Sequence, residues 1–286
     1  MILVTGAGGQ LGQELRVALA GRPALFVTSA ELDITDADAC KRLVADNGIT
    51  TILNAAAYTK VDKAEQEEEL AFAVNAAGAM NLAVAAKETG AFVVHVSTDY
   101  VFDGTKNRPY AETDIPNPRT VYGRSKLAGE EAVMKQAPAA IVLRTGWLYS
   151  AHGANFMKTM LRLGAERSEL GVVADQTGTP THAGHLARDV ALIVDKRHQN
   201  ADFKNISGIF HYADDGAATW YDFAVNIMRE AGLNCKVRPI TTEAYPTPAV
   251  RPAYSVLDKS KVKSHFKLDI NHWQDDLASC IAMIRL

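Results

Sequence analysis

Met1-Ile2-Leu3-Val4-Thr5-Gly6-Ala7-Gly8-Gly9-Gln10-Leu11-Gly12 decides how the rest of the chain is organised. A short apolar run ends in a glycine cluster, and helical spacing begins at Gln10. Gly6, Gly9 and Gly12 fall at G-x-x-G-x-x-G spacing, and Gly8 supplies the alternative G-x-G-x-x-G less directly. Glycines allow a tight turn there and let backbone N–H groups approach a pyrophosphate at a helix N-terminus. A glycine-rich turn without a ligand is the plainer alternative. Its position straight after a first strand favours a dinucleotide, with Gly6, Gly9, Gln10, Leu11 and Gly12 as the cradle.

The same strand–helix rhythm continues outward. Apolar runs at Ile2–Val4, Leu25–Thr28, Thr51–Leu53, Phe92–Val96 and Ala140–Leu143 alternate with helical patterns at Gln10–Ala20, Asp36–Asp46, Leu70–Thr89 and Tyr122–Gln136. Continuous apolar strands between helices predict an α/β chain with a parallel sheet buried on both faces, a Rossmann-like doubly wound arrangement. Beyond Trp147 the rhythm loosens. Helices are expected at Asn155–Arg167 and Ala183–Asp195, a strand at Ile209–Tyr212, and a Pro-rich stretch runs from Tyr245 to Tyr254. The expected division is a nucleotide-binding domain over 1–145 and a smaller α/β substrate-binding domain over 146–286. Residues of about 180–200 are expected to return to the first domain.

The 286 residues fit about two domains at roughly 150 each. Thirty basic against 33 acidic residues give a formal charge of -3. That balance removes the bulk-electrostatic case for nucleic acid or an anionic membrane surface. No run approaches the roughly 18 uninterrupted apolar residues of a membrane span. The opening residues show no basic leader, so a cytoplasmic protein is expected. Cys40, Cys235 and Cys280 are too few and too scattered for a disulfide framework and are read as reduced thiols.

Two features suggest chemistry. The end of the second strand, Val27-Thr28-Ser29, lacks the carboxylate that would bind a ribose diol and exclude a 2′-phosphate, although Glu31 and Asp33 follow closely. NADPH is favoured and NADH left open. Further on, Tyr122 and Lys126 stand four apart, on one face of a helix. A phenol near pKa about 10 is a poor proton shuttle, and a nearby ammonium is expected to lower it. Such pairs also occur by chance on solvated helices. Here the pair lies one βαβ unit beyond Ser97-Thr98-Asp99-Tyr100, at the sheet edge where ligands bind. A hydroxyl, a Tyr and a Lys meeting a nicotinamide would make a carbonyl-reduction apparatus.

These residues resemble the extended short-chain dehydrogenase/reductases and, within them, the dTDP-4-dehydrorhamnose reductases. The loop and Y-x-x-x-K mark only the superfamily. The narrower motifs are Ser97-Thr-Asp-Tyr-Val-Phe102, Asp175-Gln176 to Pro180-Thr181, and Pro246-Thr-Pro-Ala-Val-Arg251-Pro252. The resemblance runs nearly the whole chain. It implies reduction of the C4 ketone of dTDP-4-dehydro-L-rhamnose to dTDP-L-rhamnose. It also implies that Gly9, Gln10 and Leu11 hold the pyrophosphate, that Asp33 and Ile34 contact the adenosine, and that Ala57, Tyr58 and Thr59 line the nicotinamide side. Tyr122 would then be the proton donor, Lys126 the ribose ligand, and Thr98 and Asp99 would face the sugar, with Trp147 and Arg251 also on the substrate. Some family members form dimers through magnesium held by interface glutamates. Glu14 matches one ligand, but the helix after Thr181 reads His182-Ala-Gly-His185 and lacks the expected carboxylate. This argues against a magnesium-bridged dimer and leaves a homodimer open. His182 and His185, at i,i+3, have the spacing of a transition-metal pair, but ordinary core or surface histidines are the expectation. No metal site is expected.

Nucleotide-sugar epimerases and 4,6-dehydratases share the loop and the Tyr–Lys pair. A dehydratase uses a Glu after the Thr-Asp pair, where this chain has Tyr100. Another nucleotide-sugar 4-ketoreductase or epimerase, and a non-catalytic NADP-binding regulatory subunit, are the remaining alternatives.

Overall fold

In a computed structural model of the chain, which describes residues 1–200, 203 and 206–285, the first half follows a strict alternation. Strands β1 (Ile2–Thr5), β2 (Ala24–Val27), β3 (Thr51–Asn54), β4 (Phe92–Thr98) and β5 (Ala140–Thr145) are separated by helices. These are α1 (Gln10–Ala18), α2 (Ala37–Asp46), the short α3 (Val61–Ala64) and α4 (Glu68–Phe72), α5 (Ala79–Thr89) and α6 (Val121–Gln136). Then come β6 (Leu148–Tyr149), α7 (Phe156–Glu166), β7 (Glu169–Val173), β8 (Thr177–Gly178), β9 (Thr181–His182) and α8 (Ala183–Gln199). The chain finishes with β10 (Gly208–His211), β11 (Ala218–Thr219), α9 (Trp220–Ala231), β12 (Lys236–Ile240), α10 (Ser260–Phe266) and α11 (Trp273–Arg285).

Six strands form one parallel sheet in the order β2-β1-β3-β4-β5-β10. Every residue of β1, β3 and β5 is buried, which is why their sequences read as unbroken rather than alternating apolar runs. Leu11 and Leu15 of α1, and Leu19 at its C-cap, pack with Leu186, Val190 and Val194 of α8 on one face. Cys40 and Val44 of α2, Leu82 and Ala86 of α5 and Val133 of α6 pack on the other. The strand expected at Ile209–Tyr212 pairs with the otherwise free edge of β5, Ile209 opposite Val142. Val262 and Phe266 of α10 close over it in the same core, so the sheet layer takes in 208–212 and 260–270 as well as α8. A separate core under α7, α9 and α11, with Tyr149, Met157, Phe223, Ile227 and Leu277 at its centre, holds the cap together.

The strand order reverses at β1, which has β2 on one side and β3 on the other. Ligands of open α/β sheets bind in the crevice beyond the carboxyl ends at such a switch point. That places the Gly6–Gly12 loop and the segment after Asn54 opposite each other. The helical pattern read over Leu70–Thr89 is continuous, but Ala73–Gly78 is a π-helical turn joining α4 to α5. Glu68–Thr89 is long and apolar enough to cross a membrane by composition. Its Ala79, Leu82, Ala83 and Ala86 are buried against the sheet, as in the core helix of any doubly wound layer.

Candidate active site

A cavity of about 570 Å³ opens at the carboxyl ends of the strands. Its floor is the glycine loop. Gly6 adopts φ +70°, and a Cβ there would lie 2.6 Å from the Ala55 carbonyl and the Ala56 nitrogen. A Cβ on Gly12 would run into the Gly6 carbonyl and the Ala7 backbone, so neither position tolerates a side chain. The N-cap of α1 is Gly9, with no side-chain acceptor, which leaves the first N–H groups of the helix facing the cavity. This is a pyrophosphate cradle with room for backbone approach. Gly9, Gln10 and Leu11 line it, and the Gln10 amide oxygen accepts from Asn155 Nδ2 at 2.9 Å, tying the cradle to the cap.

Thr28, Ser29, Asp33 and Ile34 line the adenosine end. Glu31 does not reach into the cavity. It folds back onto the Thr28 N–H (2.8 Å) and hydroxyl (2.9 Å), which hold its carboxyl below the usual range. Asp33 accepts from the Thr35 N–H and hydroxyl in the same way. Ala57 and Thr59 line the opposite wall. The Tyr58 side chain turns away from it and donates to Glu67, which raises the phenol to about 12. The Tyr58 backbone is held by Asn75 through its N–H (2.8 Å) and carbonyl (3.1 Å). Asn75 comes from the π-helical turn and also reaches Ser125 Oγ on α6 at 3.0 Å. Helical periodicity gives no sign of such a turn, so the sequence did not single this residue out.

Tyr122 and Lys126 occupy the start of α6 because Thr120 caps it, accepting from the Gly123 N–H at 3.0 Å. Tyr122 and Thr98 line the same cavity, and Tyr100 packs edge-on against Tyr122 with ring centroids 5.5 Å apart. Burial pushes the Tyr122 phenol up to about 12, partly countered by the Thr98 hydroxyl and reinforced by nearby Asp99. The expected lowering by Lys126 is therefore not what governs this phenol. The Lys126 ammonium donates to the Val96 carbonyl at 2.6 Å, and burial, opposed by Glu130, brings it down to about 8. Desolvation outweighs the pair's mutual field.

Beneath Lys126 lies a polar core. Glu130 and Arg144 are each 1% exposed and are joined by bonds of 2.7, 3.0 and 3.1 Å, with Ser97 donating to Glu130 at 2.5 Å. Asp99 is buried beside Thr98, takes a hydrogen bond from the Ser255 side chain, and is pushed up to about 6 by desolvation. Gly146 makes room for it, since a Cβ there would come within 2.6 Å of the Asp99 carboxyl.

Trp147 completes the cavity wall with an unusual φ of +52°. Its indole stacks on Trp220 at 3.4 Å and 3°, and Gly178 leaves the space it occupies. Trp220 lines a second cavity of about 620 Å³, so the indole pair stands between the two. Arg251 lines this second cavity rather than the first. Its guanidinium grips Asp62 at 2.7 and 3.0 Å, which joins the Pro-rich stretch to α3. Trp220 was not singled out from the sequence; the Thr219–Asp222 capping box that starts α9 was the available signal.

The structure thus brings fourteen of the sixteen expected residues to one cavity and leaves the Tyr58 side chain and Arg251 outside its lining. The whole chain, residues 1–286, matches the family model described as RmlD substrate binding domain. A dTDP-4-dehydrorhamnose reductase of Aggregatibacter actinomycetemcomitans is 44% identical over 282 residues, covering 96% of this chain and 95% of the relative. Among solved structures, a dTDP-4-dehydrorhamnose reductase from Clostridium acetobutylicum superposes with TM-score 0.94 at 41% identity, covering 100% of this chain and 99% of its own. The Bacillus anthracis enzyme, solved in complex with NADP, gives TM-score 0.92 at 37% identity, with coverage of 99% and 98%. With its glycine cradle, its Thr98, Tyr122 and Lys126 gathered in one cavity and full-length matches of this kind, the chain belongs to the RmlD substrate binding domain family, that of the dTDP-4-dehydrorhamnose reductases.

Proposed function

We propose that this chain reduces the C4 ketone of dTDP-4-dehydro-L-rhamnose to dTDP-L-rhamnose, with NADPH as reductant and NADH also accommodated. The observation that carries this reading is the meeting of Thr98, Tyr122 and Lys126 in one cavity at the end of β4, across the crevice from the glycine cradle. A bound nicotinamide supplies the hydride. The α1 N-terminus and loop N–H groups hold the pyrophosphate, Thr28 and Ser29 accept the adenosine ribose end, and Lys126 holds the nicotinamide ribose.

As hydride reaches the sugar C4, negative charge develops on O4, and Tyr122 gives it the phenolic proton. A phenol pushed up to about 12 stays protonated at neutral pH, which a proton donor to an alkoxide requires. Thr98 sits beside the same oxygen and donates a hydrogen bond to it as charge grows. Lys126, in its charged form, steadies the phenolate left behind until solvent reprotonates it. Trp147 is the proposed platform for the sugar. The second cavity, lined by Phe156, Trp220, Tyr245 and the cations Arg167 and Arg251, is the proposed place of the nucleotide. Tyr100 fills the position where a dehydratase needs a carboxyl group, and its ring packs on Tyr122, so elimination lacks its second acid–base group.

The test is kinetic. Wild-type protein should oxidise NADPH in the presence of the 4-keto sugar nucleotide, and Tyr122→Phe should lose at least about 10²-fold in kcat with little change in NADPH affinity. A Tyr122→Phe kcat within about threefold of wild type would reject the assignment.

A further inference from the structure

The magnesium that bridges some family members does not suit the corresponding place in this chain. Glu14 is present, but the residue facing it on α8 is Gly184, whose missing Cβ would stand 3.2 Å from Glu14 Oε2 and 2.8 Å from the His182 ring. Magnesium asks for near-octahedral oxygen donors. The groups gathered there are instead two imidazoles and one carboxylate.

His182 lies at the junction of β9 and α8, His185 in the first turn of α8, and Asp276 in the first turn of α11. One ligand atom from each falls within 4.8 Å of the other two. The two rings stand nearly perpendicular, with centroids 4.9 Å apart. A second observation is independent of this spacing. His182 is 3% exposed, and neither of its ring nitrogens has a partner. A buried imidazole that neither donates nor accepts is costly and calls for an ion or a water. The carboxylate is already oriented: Asn271 Nδ2 donates to Asp276 Oδ1 at 2.8 Å, while Oδ2 meets His185 Nδ1. The buried Asp214 carboxyl adjoins Asp276 and accepts from the His182 N–H at 3.0 Å, so acidic groups are concentrated on the far side of the cluster.

We propose that His182, His185 and Asp276 bind one divalent first-row transition ion of the zinc class. Three nitrogen and oxygen donors with a fourth position open suit this ion at distances of about 2.0–2.2 Å, and the outer-shell hydrogen bonds of Asn271 are those such sites use. Entry is past His185, whose side chain is 25% exposed while that of Asp276 is 1% exposed. The bound ion clamps α11 of the cap to α8 of the sheet layer. It thereby stiffens β9, whose partner β6 follows directly on Trp147.

The probes are zinc and cobalt alone, added by equilibrium dialysis to full-length protein stripped with a chelator. Wild type should take up one zinc per chain in the presence of excess magnesium, gain in melting temperature, and with cobalt show the visible spectrum of a nitrogen-ligated, low-coordinate ion. His185→Gln alters the most exposed ligand and should fold, as checked by circular dichroism, while binding zinc at least about 100-fold more weakly, beyond what loss of an outer-shell partner produces. Wild-type uptake no greater than that of His185→Gln overturns the proposal, as does displacement of the zinc by magnesium. Should His185→Gln fail to fold, the cobalt spectrum decides, and one with oxygen ligation alone overturns it.

Discussion

At the residue scale, burial sets the chemistry. Desolvation drives the proton affinities of the half-buried Tyr122 and the buried Lys126 in opposite directions, up to about 12 and down to about 8. The phenol is kept loaded, while the ammonium is left near the edge of its charged range. If the charged Lys126 holds the nicotinamide ribose, kcat/KM for NADPH should decline as pH rises through about 8. Stability should move the other way. The folded-state value lies below the ordinary 10.5, so between about 8 and 10.5 the unfolded chain binds more protons and this group's contribution to stability rises with pH. A fall in kcat/KM without a matching fall in melting temperature therefore reports Lys126. A profile flat to about pH 10 would contradict this role.

At the element scale, the site depends on how closely α6 lies against its neighbours. Gly123 sits on the Tyr100 carbonyl and Gly129 on the Asn75 carbonyl of the π-helical turn, with no room for a Cβ at either place. Alanine is the better helix former by about 1 kcal/mol, yet Gly129→Ala should destabilise the protein by about 1–3 kcal/mol because the overlap is with backbone. Urea denaturation measures this, and an equal or more stable variant would refute the packing account. These contacts also mark where the sequence stopped being legible. The Gly6–Gly12 loop, the five apolar strands and the Tyr122–Lys126 spacing are local patterns and could be read directly. The Glu130–Arg144 pair joins a helix to a strand, and Asn75 reaches inward only because one turn is π-helical. Neither follows from any local period. Position on the chain likewise hid that β10 completes the sheet, since the residues of β5 that it pairs with lie 67 positions earlier.

For the whole molecule, the reversal of strand order at β1 collects the site, and the cap returns to the sheet through Gln10–Asn155 and Arg251–Asp62. The net charge of -3 coexists with local cations at Lys126, Arg167 and Arg251, so an anionic sugar nucleotide is met by a pocket rather than by the protein's overall field. Two cavities separated by the Trp147–Trp220 stack match a substrate with a reacting sugar at one end and a nucleotide at the other. The central claim is that hydride passes to the sugar C4 beside Tyr122. It is tested most directly with NADPH deuterated at the transferring position of the nicotinamide C4 and dTDP-4-dehydro-L-rhamnose as substrate, followed by mass and NMR analysis of the product. The account predicts one deuterium at C4 of a 6-deoxy-L-manno sugar. A product of another configuration, or one without deuterium at C4, would contradict it.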